Sequence, residues 1–125
     1  MLQTILVMTG GAIGAALRYH AGKYSLALLG GGWPWGTLLV NVSGGLAMGL
    51  FTGWLALRGG DGEPMRLFVA IGVLGGFTTF SSFSLETFAM IERGEITSAT
   101  AYILASVVAS VGALAIGLNL GKAVA

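Results

Sequence analysis

The sequence predicts an all-α integral membrane protein of four transmembrane helices, and three observations carry that expectation. Only 9% of its 125 residues are charged and 55% are hydrophobic, whereas a soluble domain carries roughly 25% charged residues. The charges cluster, leaving uncharged runs over residues 1–17, 24–57, 67–85 and 96–121. A bilayer core of about 30 Å needs about 20 apolar helical residues, and the last three runs supply them. Residues 1–17 are marginal in length, but they have neither a basic start nor a convincing small-residue cleavage site, so they are read as a retained first span. The whole chain, 1–125, is then one membrane domain.

The first helix is expected from Leu2, through Gly10, Gly11 and Gly14, past Arg18 to about Leu29. Gly30, Gly31 and Gly32 break it. Trp33, Pro34 and Trp35 follow, with proline suited to a helix start and tryptophan to the headgroup belt. The second helix runs to about Leu57, and Gly45, Gly49 and Gly53 recur along it at the four-residue spacing of close helix packing. A polar turn over residues 58–66 contains Gly59, Gly60, Asp61, Gly62, Glu63 and Pro64. The third helix starts near Met65 and ends around Glu92 and Arg93, and the fourth runs from Glu95 to about Gly121.

Four spans put Arg58, Arg66 and Lys122 on one side and Arg18, Lys23 and Arg93 on the other. Lysine and arginine bias normally fixes orientation, and here there is none. The chain is therefore expected to insert both ways round, which permits an antiparallel homodimer, a two-chain analogue of inverted-repeat transporters.

Composition also excludes classes of function. A net charge of +1 gives no basic stripe for nucleic acid. There is no cysteine, and His20 is the sole histidine, so no thiol or multi-histidine metal centre can form. An enzyme is disfavoured because one interfacial histidine and loop carboxylates cannot assemble a nucleophile, a base and an orienting group.

Polar residues within the spans carry the remaining signal. Residues 75–84 place two glycines and five hydroxyl residues at mid-membrane. They are consistent either with a local break around 75–79, whose freed carbonyls would suit a cation, or with a flexible kink filled by side-chain hydrogen bonds. Asn41 in the second span is either interhelical glue or an amide donor lining an anion path, with Thr37 one turn away on the same face. Ser98, Tyr102, Ser106 and Ser110 form a stripe on the fourth span, which reads as a lined path or as serines bonded to their own backbone. Phe80 and Phe83 fit core packing, or the use of their positive ring edges toward a small anion. Glu86 is a solvated boundary residue or a vestibule acid. No acidic or basic residue lies deep in the second or fourth span, so passive permeation is expected rather than proton-coupled pumping.

Together these segments resemble the Fluc family of small fluoride channels, also called CrcB-type proteins. The likeness rests on GGAIGAALRY at 10–19, WGTLLVN at 35–41, GGFTTFSSFS at 75–84 and the Tyr102, Ser106, Ser110 stripe. It implies a dual-topology homodimer with two antiparallel pores that export fluoride passively across a cell membrane, a bacterial inner membrane by expectation, and so confer resistance to fluoride. Membrane lipid and a second copy of the chain are the other expected partners. The resemblance makes Phe80 and Phe83 pore-lining rings, Asn41 the amide facing them, and Ser81, Ser82, Tyr102, Ser106 and Ser110 the polar track, to which the spacing argument adds Thr37. It also implies a structural sodium ion on the two-fold axis, held by the carbonyls of Gly75 and Thr78, and places Arg18 near the aqueous entrance; Glu86 is taken as the other vestibule residue from its position near the end of the span. The rival class is a small multidrug-type dual-topology transporter, which relies on a glutamate in its first helix; no acidic residue lies between Met1 and Leu57. A non-transporting scaffold subunit would leave the hydroxyl stripe and Asn41 without purpose.

Overall fold

The computed structural model describes residues 1–59 and 62–125. Gly60 and Asp61, part of the expected polar turn, lie outside the described residues. The described chain is helical throughout: α1 Leu2–Leu29, α2 Trp35–Ala56, α3 Glu63–Met65, a π-helical run Arg66–Leu74, α4 Gly75–Phe77, α5 Phe80–Glu92 and α6 Ile96–Val124. At 1.5 Å per residue, the 28 residues of α1 and the 29 of α6 each reach about 40 Å, more than the bilayer core.

Among the described residues, three helical stretches are long and apolar enough to cross a membrane: Trp35–Ala56, Glu63–Glu92 taken as one bent helix, and Ile96–Val124. The first helix is not among them. It is long enough, but Gln3, Thr4 and Thr9 dilute its apolar run, and Arg18, His20 and Lys23 interrupt its second half. The expected turn at 58–66 is shorter than its composition implied, because Glu63 and Pro64 already belong to α3, with Pro64 in the first helical turn, where its missing N–H is no loss.

The break in the third helix falls at the far edge of the expected interval. Gly75 and Gly76 remain helical, and the chain leaves the helix at Thr78 (ψ 158°) and Thr79 (φ −150°, ψ 119°) before α5 begins. Gly76 has a packing reason instead: a Cβ there would press on the Gly11 backbone of α1. Small residues let helices touch in a membrane, where no hydrophobic force draws them together.

The closest packing joins α2 to α6. A Cβ on Gly49 would strike the Leu114 carbonyl, and Gly45 and Gly53 face Ser110 and Leu118 in the same way. These two helices therefore run parallel, in a fixed register. Few apolar side chains are buried: Val40, Leu74, Met90, Ala99 and Tyr102. Leu28, Phe80, Leu85 and Val108 are largely exposed on the protomer, a surface that fits lipid or another copy rather than water.

Candidate functional site

Asn41 and Thr79 are the hinge of the site. The Asn41 amide nitrogen donates to the Thr79 carbonyl at 2.9 Å, and the Thr79 N–H donates to the Asn41 side-chain oxygen at 2.8 Å. One amide thus satisfies both backbone groups of the residue at which the third helix is open. Extended backbone at membrane depth is tolerable only with such partners. The second amide hydrogen of Asn41 has no acceptor among the described residues.

Thr79 also caps α5. Its hydroxyl accepts the Ser82 N–H at 3.1 Å and lies 3.3 Å from the Ser81 hydroxyl, so α5 begins with a side-chain cap inside the long apolar stretch 63–92. In the sequence this residue is one hydroxyl among five. A threonine three residues before a serine N–H at a helix restart is the signal that could have singled it out.

A cavity of about 380 Å³ opens beside this bracket, between α2, α5 and α6. Asn41, Thr79, Phe80, Phe83, Ser106 and Ser110 are among the residues that line it. The Phe80 and Phe83 rings stand 5.5 Å apart at 46°, and Phe80 is 78% exposed on the protomer surface. Behind the cavity surface, on α6, the Ser106 and Ser110 hydroxyl oxygens are buried and make no geometric hydrogen bond among the described residues. Unpaired buried hydroxyls are uncommon and need a reason. A serine can donate to an anion that enters, and a ring edge presents weak positive charge to the same ion.

The other expected site residues lie elsewhere. Tyr102 is fully buried and lines none of the three cavities; its hydroxyl donates to Glu86 at 3.1 Å, and its ring lies 5.2 Å from Phe83. Thr37 donates to the other oxygen of Glu86 at 2.6 Å. Both oxygens of Glu86 are therefore engaged, and the residue borders a cavity of about 420 Å³ together with Trp33, Trp35, Thr37 and Arg93. Arg18 donates through Nε to the Gly76 carbonyl at 3.1 Å, just before the break. With Lys23, Thr37, Thr79 and Ser82 it lines a third cavity of about 520 Å³. Ser81 is exposed and Ser98 accepts the Trp33 indole N–H at 2.9 Å. Of the hydroxyl stripe on α6, its first two members are thus partnered and its last two are not.

The carbonyls expected to hold a cation can be tested on geometry. Turning the Thr79 N–H to Asn41 takes away the donor that would close the helical ladder on Gly75, and Thr78 is itself extended. No group of three or more acidic, cysteine or histidine side chains comes together among the described residues. The donors at hand are backbone oxygens, which suit a hard monovalent cation.

The chain is similar to known proteins along its length. A family model described as "CrcB-like protein, Camphor Resistance (CrcB)" matches residues 5–118. A protein of Novosphingobium aromaticivorans named "Fluoride-specific ion channel FluC" is 51% identical, with all of both chains covered. Proteins of the same name from Caulobacter sp. and Hyphomonas neptunium are 50% and 53% identical, covering 98% and 94% of this chain and 96% and 94% of their own.

Proposed function

This chain belongs to the CrcB-like family, a family of ion channels rather than enzymes, and from that premise we propose that it conducts fluoride passively out of the cell as a multi-pass membrane protein. One observation carries the reading beyond the names of relatives: a cavity beside a bracketed helix break, lined by the paired phenylalanine rings of α5 and by Ser106 and Ser110 of α6, whose buried hydroxyls have no geometric hydrogen-bond partner among the described residues. Fluoride is small and tightly hydrated, so a selective path must replace its water with donors. Ser106, Ser110 and the free Asn41 hydrogen supply donors, and the ring edges of Phe80 and Phe83 add weak positive charge. None is a full cation that would trap the ion. An inside-negative potential drives the anion outward by about 2.3 kcal/mol per 100 mV.

The working unit in this proposal is a dual-topology homodimer of four-span protomers in a bacterial inner membrane, with α1 as the remaining span. The balanced basic residues and the outward-facing Phe80 support it, since a ring that lines a path from one protomer needs a second wall. Each pore would draw on both chains and run past Thr37, Ser81 and Ser82, with Tyr102, buried within the single protomer, behind the track and Arg18 and Glu86 at the aqueous ends. A structural sodium ion on the two-fold axis would be held by the Gly75 and Thr78 carbonyls, where it would neutralise oxygens that the break leaves without donors.

The small multidrug-type alternative is disfavoured by the relatives and by the absence of acidic residues before residue 58. Efflux from liposomes holding the purified protein tests the function: fluoride should leave much faster than chloride, and equal fluxes would overturn the selectivity. The orientation has its own test, because accessibility labelling of a C-terminal tag should find it on both sides of the membrane, and one-sided labelling would end the antiparallel arrangement.

A further inference from the structure

Trp33 precedes α2 and belongs to the loop that Gly30 opens at φ 78°. The three residues before it in that loop are exposed glycines, yet Trp33 is half-buried and packs on the cluster of Met90, Ala99 and Tyr102. Its indole N–H donates to Ser98 at the start of α6. Its ring meets Tyr102 edge-on, with centroids 5.3 Å apart at 74°.

The position of this bond in the register of α2 on α6 is informative. Trp33 and Ser98 are 65 residues apart. The same offset relates Gly45 to Ser110, Gly49 to Leu114 and Gly53 to Leu118 along the glycine seam. The two helices are therefore pinned in one register at two places, by backbone contact from Gly45 onward and by the indole bond at the other end. Asn41 and Ser106, related by that offset too, lie between the pins and line the cavity, which continues past them along Gly45, Ser110 and Leu114.

From this placement, and resting on the channel reading above, we infer that Trp33 is a positioning residue for the ion path. It acts through Tyr102, a residue with three engagements: its ring against Trp33 on one side, its ring against Phe83 on the other, and its hydroxyl on Glu86. Removing Trp33 opens the space beside the Tyr102 ring and releases the α6 end of the register. The Phe83 ring then loses its backing, and the spacing between rings and serine hydroxyls is no longer fixed. That spacing is what separates fluoride from a larger anion, since mouth width and donor distance set the fit.

The experiment has two readouts on Trp33→Leu, Trp33→Phe, Ser98→Ala and the Trp33→Phe/Ser98→Ala double variant. The first does not depend on conduction: nitration of the purified protein by tetranitromethane, with sites assigned by mass spectrometry. Wild-type Tyr102 should be protected while the exposed Tyr19 and Tyr24 react; in Trp33→Leu, Tyr102 should become at least tenfold more reactive. The second is the ratio of fluoride to chloride efflux from liposomes, expected to fall about tenfold in Trp33→Leu and a few-fold in each of the milder variants. The double variant should be no worse than either single one, because both remove the same hydrogen bond. A Tyr102 that stays protected in all variants overturns the inference, as does an unchanged flux ratio in variants whose Tyr102 has become reactive. Should wild type carry no fluoride, the channel reading fails, and nitration still decides whether Trp33 holds Tyr102. If Trp33→Leu does not fold, Trp33→Phe and Ser98→Ala keep both arms open.

Discussion

The helices α2 and α6 build two regions that behave in opposite ways. From Gly45 onward they touch backbone to backbone, and a single Cβ on Gly49 would have no room. On the side turned to α5 the same pair, in the same register, borders an open cavity that runs from Asn41 and Ser106 along to Met48 and Leu114, with the Ser106 and Ser110 hydroxyls left unpaired among the described residues. Helix type and apolar character do not change between the two. What changes is the third element: beside the cavity α5 starts afresh after the break, and Asn41 is occupied in holding that break open. In the proposed channel, tight packing and an ion path are thus two uses of one helix pair, and the close seam would fix the spacing on which the path depends.

The largest effect should come from breaking the closed region. Gly49→Val places a branched side chain against the Leu114 carbonyl, and overpacking of this kind costs about 1–3 kcal/mol or more when backbone must move. Folded protein recovered in detergent should fall sharply, as size-exclusion profiles and melting curves would show; a normal melt would mean that the seam does not clamp the pair.

The next effect separates the regions. Asn41→Asp keeps the acceptor for the Thr79 N–H but loses the donor to the Thr79 carbonyl, and its carboxylate repels an anion. An unsatisfied buried carbonyl costs about 1–3 kcal/mol. Fluoride efflux should fall by at least tenfold, with protein that still elutes as a folded species.

Smaller still is Phe83→Ile, which nearly keeps the apolar volume but removes the ring edge and the tilted ring contacts with Phe80 and Tyr102, a loss of about 0.5–1.5 kcal/mol per ring pair. Efflux should drop severalfold while the melting temperature shifts by a few degrees. Unaltered flux in both Phe83→Ile and Asn41→Asp would return the rings to plain packing.

The finest distinction lies within the hydroxyl stripe. Ser106→Ala removes a hydroxyl that has no partner among the described residues, so stability should be unchanged or slightly higher, because nothing is orphaned by the change. Fluoride efflux should nevertheless fall a few-fold. A measurable loss of stability, with flux intact, would show that Ser106 serves the fold instead.

By itself the sequence determined the helices and their ends to within a few residues, since uncharged run length and the Gly-Gly-Gly, Trp-Pro-Trp and Gly-Glu-Pro punctuation are local signals. It also marked residues 75–79 as a break or a kink within the third helix and picked out α2 as glycine-packed. The exact point of the break was not local: Gly75 and Gly76 look like the weakest helix formers, yet they stay helical because α1 packs on Gly76, and the chain opens at Thr78 and Thr79 because Asn41, 38 residues earlier than Thr79, satisfies the opened backbone. The four serine and tyrosine positions of the α6 stripe are alike in spacing, and only tertiary structure divides them. Trp33 reaches Ser98 and Glu86 reaches Tyr102, while the cavity leaves Ser106 and Ser110 with neither. Periodicity reports which residues share a face, but whether a hydroxyl on that face is free depends on what arrives from elsewhere in the chain.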